Sequence, residues 1–143
     1  TDGDPDHLLA ESIRNFQTRP GHKVILPYSL NVDGQKTDRE FKEVPEALFN
    51  FVCDTRQAKD LNLKVMSISK GAYPIPALIQ TEAGLGHIEA SPDNDGIYRH
   101  YQFISNVDDL YFPSYGLMAY QYFTEDKPIL ELLAQGEYQL KTK

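Results

Sequence analysis

Hydrophobic and polar positions along the chain follow two rhythms, one near 3.6 residues and one of two, and the changes between them predict the elements. Asp4-Pro5-Asp6 reads as a cap and first turn. It heads a helix with Leu9, Ile13 and Phe16 on one face and Glu11, Arg14 and Asn15 in solvent, ending near Arg19-Pro20-Gly21. The run KVILPYSL predicts a strand covered on both sides, because Val24, Ile25 and Leu26 are consecutive, with Pro27 closing it or sitting at an edge. Residues 31–42 are polar around an Asp-Gly pair and read as a loop or short exposed hairpin. Pro45 then opens a helix with Leu48, Phe49 and Val52 inward; 55–62 is a charged linker, and 63–69 alternates as a strand. A short helix accepting Pro76 in its first turn ends before Gly84.

From Gly84 to Phe123 the order of signals is more specific. Strand-like runs at 85–91 and 97–105 flank Pro92-Asp93-Asn94-Asp95-Gly96, whose Asp-Gly pair supplies the positive φ that a tight hairpin turn needs. A polar connector at 106–110 leads to Phe112-Pro113-Ser114, which opens a helix carrying Leu117, Met118, Tyr120 and Phe123. Residues 128–133 predict a last short helix before Gly136, and 137–143 a terminal strand or frayed tail. The sum is an α/β fold in one domain spanning 1–143. Its mixed sheet has helices packed on it and an antiparallel hairpin at about 85–105 followed by a helix.

Composition narrows the function classes. Fourteen basic residues against 21 acidic ones leave a net charge of −7, which opposes a polyanion, so no nucleic-acid partner is expected. The single cysteine, Cys53, excludes an internal disulfide and a multi-cysteine zinc site, and its apolar neighbours make it a core residue rather than a nucleophile. No apolar run approaches the roughly 20 residues that span a bilayer.

The segment LGHIEASPDNDGIYRH followed by FPSYGLMA resembles the CHASE2 family, whose members carry a Leu-Gly strand, Pro-Asp-x-Asp-Gly-x-x-Arg and Phe-Pro-Ser-x-x-Leu-x-Ala in that order. Upstream, DPDHLLAESI and KVILPYSL are similar to the family's D-x-x-L-A-x-x-I helix and V-I-L-P strand. The resemblance implies an extracytoplasmic, periplasmic-side sensory module of a bacterial membrane receptor. Its output domain would be an adenylate or guanylate cyclase, a histidine kinase, a diguanylate cyclase or a Ser/Thr kinase. It also implies that this chain matches the later portion of a larger domain, whose earlier strand, helix and strand precede it. Contact with the membrane would run only through segments outside this chain.

Candidate chemistry gathers on the same stretch. Asp93-Asn94-Asp95-Gly96 has the oxygen density of a calcium loop but is followed by Tyr98, Arg99 and His100 rather than a bidentate Glu, so a capped turn without metal is expected. His87 and Glu89 share one face of the first arm, while Arg99 lies among Ile97, Tyr101 and Phe103 on the second and His100 points away. Arg99 is expected either to pair with Asp93 or Asp95 or to meet an anionic ligand. Ser114 sits where a hydroxyl caps a helix, with neither G-x-S-x-G nor S-x-x-K around it, and the helix start is open to an anion. Tyr111, Phe112, Tyr115, Tyr120, Tyr122 and Phe123 form an aromatic set that serves the core, an apolar ligand pocket or a protein contact.

With no P-loop, dinucleotide fingerprint or zinc-protease motif, the reading is a ligand-sensing module that is not an enzyme and carries no cofactor. Arg99, Asp95, Ser114, Tyr115 and His87 are its candidate ligand contacts, for a small molecule or a protein. Two alternatives remain open: a small hydrolase using His87, Glu89 and Arg99, and a dimerisation scaffold in which the aromatic patch meets its copy across a two-fold axis.

Overall fold

A computed structural model describes residues 3–30, 44–56, 71–90, 92–99, 101–107, 110–127, 129–132 and 138–141. The expected loop at 31–42, the strand at 63–69, most of the linker at 55–62 and His100 lie outside these residues. The chain folds as α/β, with helices against a mixed sheet and antiparallel pairs.

Helix α1, Pro5–Gln17, begins where its sequence directs: Asp4 Oδ1 accepts the Asp6 N–H and Pro5 occupies the first turn. Its buried face holds Ala10 and Ile13, while Leu9 and Phe16, expected inward, are exposed. Phe16 instead stacks on His22, centroids 4.6 Å apart. Gln17 ties the helix end to the sheet, donating to Thr81 O at 2.8 Å and accepting Val24 N–H at 3.3 Å.

Strand β1, Ile25–Leu30, is the middle of a three-stranded sheet. It pairs in parallel with β4, Gly84–His87, and antiparallel with β3, Gly71–Ala72; a two-residue strand β2, Thr55–Arg56, precedes β3. Pro27 fits because β3 reaches only Ser29 and Leu30, so one side of β1 has no strand partner there among the described residues. Burial alternates at Tyr28 and Leu30, and Val24, Ile25 and Leu26 are half-buried, so the strand is not covered on both sides as its apolar run suggested. Between β1 and β2, Glu46–Phe51 forms a 3-10 helix with Leu48 buried but Phe49 half-exposed. Helix α2, Pro76–Ile79, packs on α1 and starts at Pro76 as read.

The turn at 92–96 closes as expected. Asp93 N donates to Ile97 O (3.0 Å), Gly96 N to Asp93 O (2.8 Å), and Gly96 adopts φ +80°. Among the described residues the arms meet antiparallel at the bridge of Ala90 with Tyr101, while β4 pairs with β1. The longer antiparallel pair joins β5, Ile104–Val107, to β6, Leu110–Pro113, so 106–110, read as a connector, ends one strand and begins the next. Helix α3, Tyr115–Thr124, follows with Ser114 as its cap, one residue after the Phe112-Pro113 pair that still belongs to β6.

Residues 129–132 correct the expected last helix: they form β7, Ile129–Leu132, parallel to β2 and antiparallel to β8, Tyr138–Lys141. Leu130 N donates to Asp54 O at 2.8 Å, and Leu130 is fully buried, so tertiary pairing overrides the helix that the local pattern predicts. Two buried clusters result among the described residues. One holds Tyr28, Leu30, Leu48, Leu85 and Phe112; the other holds Cys53, Ile104, Tyr111, Leu117 and Leu130.

Candidate functional site

The predicted site residues divide into two groups. His87, Ser114 and Tyr115 meet where β4 passes under the start of α3, bridged in parallel at His87 and Ser114. The approach is close because of Gly86, where an added Cβ would lie 2.5 Å from Tyr115 Cα. Ser114 is fully buried and its Oγ accepts Leu117 N–H at 3.1 Å, so its hydroxyl caps the helix from inside the fold.

His87 is fully buried as well. Its Nδ1 accepts the Glu89 N–H at 3.3 Å, which leaves the proton of the neutral ring on Nε2, 3.2 Å from Ser105 Oγ. Burial lowers its pKa to about 4 against a smaller upward pull from the Phe112 backbone. The Ser105–His87 contact has the wrong tautomer for a nucleophile–base pair, because a protonated Nε2 cannot take the serine proton. Tyr28, whose hydroxyl is pushed well above its usual range by burial, meets the ring edge-on at 6.3 Å. Glu89 faces elsewhere: Oε1 accepts Ser29 Oγ at 2.8 Å and Leu30 N at 2.6 Å, continuing the β1 ladder with a side chain where β4 ends.

Arg99 and Asp95 form the second group, on the exposed turn. The guanidinium holds Asp93 Oδ2 at 3.0 Å and both Asp95 oxygens at 2.8 and 3.0 Å, and this pairing draws the Asp95 pKa down. Asp95 Oδ1 also accepts Ile97 N–H, so the carboxylates clamp the turn. The side chains of His87, Glu89 and Arg99 thus go to three different sets of partners, and among the described residues no contact gathers them around one reacting atom. The aromatic set is split too. Tyr111 and Phe112 are buried in the two cores, whereas Tyr115, Tyr120 and Phe123 are exposed.

A cleft of about 680 Å³ lies elsewhere, along the second half of α3, between the loop entering β1 and the 3-10 helix. Phe51, Met118, Tyr122 and Phe123 give it an apolar wall; Lys23, Gln121, Glu125 and Asp126 are among its polar groups. Lys23 Nζ stands 5.8 Å above the Tyr122 ring centre. The chain segments that build it are a hundred residues apart, so no spacing could announce it. Its one legible signal was Tyr122 and Phe123 within the aromatic set. Among the described residues no group of three or more His, Cys, Asp or Glu side chains could hold a metal ion, and no helix is long and apolar enough to cross a membrane.

Comparison with protein-family models, curated proteins and solved structures finds no match to the chain.

Proposed function

We propose that the chain is a ligand-sensing module that does no chemistry itself, the extracytoplasmic part of a bacterial transmembrane signalling protein of the CHASE2 kind. Its ligand occupies the cleft beside α3. The observation that carries the binding role is that cleft, whose volume of about 680 Å³ falls within the range usual for small-molecule sites. The receptor context rests on the ordered motifs between Gly84 and Phe123.

The polar groups read from the sequence as ligand contacts support a structural use instead: Ser114 caps, Arg99 clamps a turn, and His87 binds backbone and hydroxyl groups inside the fold, as does Glu89 of the hydrolase alternative. Helix α3 joins the two regions, with Met118, Gln121, Tyr122 and Phe123 on the cleft and Ser114 bridged to His87 at its start. A ligand would reach the output domain by favouring one of two positions of α3, in proportion to its difference in affinity for them.

The flanking reading frame tests the proposal. Transmembrane segments with a cyclase or kinase domain beyond Lys143 are the expected finding. A stop codon there, with no export signal upstream, overturns it.

A further inference from the structure

We infer that the cleft takes an organic cation, an ammonium group carried on an apolar or aromatic body. This rests on the cleft being the binding site and adds the charge and shape of what enters it. Four features of the lining agree. The last residues of α3 lie on the cleft, so it receives the negative end of the helix dipole. Glu125 and Asp126 follow directly, and neither carboxylate has an ion-pair partner among the described residues. Lys127, which also lines the cleft, lies 3.7 Å from Asp54. Phe51, Tyr122 and Phe123 supply aromatic rings, whose faces attract cations, and Phe123 is 90% exposed at the cleft.

The chain itself already places an ammonium at this site, since Lys23 stands over Tyr122. A ligand ammonium would compete with Lys23 for that ring. An organic anion would gain Lys23 and Lys127, the latter already beside Asp54, but would meet two carboxylates and a helix C-terminus. The net charge of −7 further concentrates cations near the molecule.

Calorimetric titration with three probes sharing one body, naphthylmethylammonium, naphthylacetamide and naphthylacetate, separates the cases. The ammonium probe should bind tightest, by about fivefold over the amide, or on the order of 1 kcal/mol. Its advantage should vanish in the Glu125→Gln, Asp126→Asn double variant. Lys23→Met should tighten ammonium binding, and Phe123→Ala should weaken all three probes. If the carboxylate binds best, or the ammonium advantage survives the double variant, the cation assignment fails while the cleft remains a binding site. If no probe binds, or none responds to Phe123→Ala, the cleft reading falls and this inference falls with it.

Discussion

His87 is an ionisable ring placed where burial disfavours its charged form more than the Phe112 backbone supports it. Its Nδ1 accepts a backbone N–H, so protonation there breaks that bond and puts a charge among Tyr28, Ser105 and Ser114. An unfolded histidine protonates near 6.5 and the folded one near 4, so above 6.5 the ring adds no pH dependence. Between those values the unfolded chain takes up a proton that the folded chain refuses. Stability should therefore fall by up to about 3 kcal/mol as pH drops through this window, levelling off below it. Denaturant unfolding at pH 7 and pH 5 checks this. His87→Gln should lose less stability than the wild type between the two values, and parallel losses would show that the ring is not the titrating group. At this scale the sequence was legible wherever a residue answers to its immediate neighbours. Asp4, Gly96 and Ser114 do what their types dictate at caps and turns, and Arg99 takes the two turn carboxylates named for it. His87 and Glu89 were not legible, because their partners Ser105, Ser29 and Leu30 come from distant strands.

The four residues of β4 explain how one strand meets both a strand and a helix. Leu85 enters the core, while Gly84 and Gly86 expose bare backbone to α3, Gly84 beneath the Tyr122 ring and Gly86 beneath the Ser114–Tyr115 backbone. A methyl group at Gly86 would stand 2.5 Å from Tyr115 Cα and 2.7 Å from its N, atoms that cannot turn aside. One at Gly84 would stand 2.7 Å from a ring that can shift into the cleft. Gly86→Ala should accordingly cost about 3 kcal/mol or prevent folding, and Gly84→Ala should cost about 1 kcal/mol. Chemical denaturation ranks the two, and the reverse order would mean that α3 does not lie on β4 as described. Elements set by capping or proline, α1, α2 and α3, were readable from local signals. β7 was not, since Ile129-Leu130-Glu131-Leu132 suits a helix turn as well as a strand, and only β2 and β8 on either side decide between them. The same reason hid the parallel pairing of β1 with β4, whose partners are nearly sixty residues apart.

Across the whole molecule, β6 is the wall shared by two cores. Consecutive side chains of a strand point to opposite faces, and so Phe112 belongs with Tyr28, Leu30, Leu48 and Leu85, while Tyr111 belongs with Cys53, Ile104, Leu117 and Leu130. The backbone at Tyr111 is also held, its carbonyl accepting Cys53 N–H at 2.8 Å. Neither cluster can lose β6 without uncovering the other, which predicts a single cooperative unfolding transition although the described strands fall into more than one sheet. Leu85→Ala and Leu130→Ala, each emptying one fully buried leucine site, should each cost about 3 kcal/mol. Because the two sites share no cluster, the double variant should lose close to the sum of the two. The decisive readout is the shape of the transition. If the cores are coupled through β6, each single variant moves the whole unfolding curve, with near-ultraviolet and far-ultraviolet circular dichroism coinciding. If they are independent, Leu130→Ala will split off an early phase that leaves the Leu85 half folded, and α3, which touches both β4 and β6, could not transmit a cleft-bound ligand's effect across the molecule as one body.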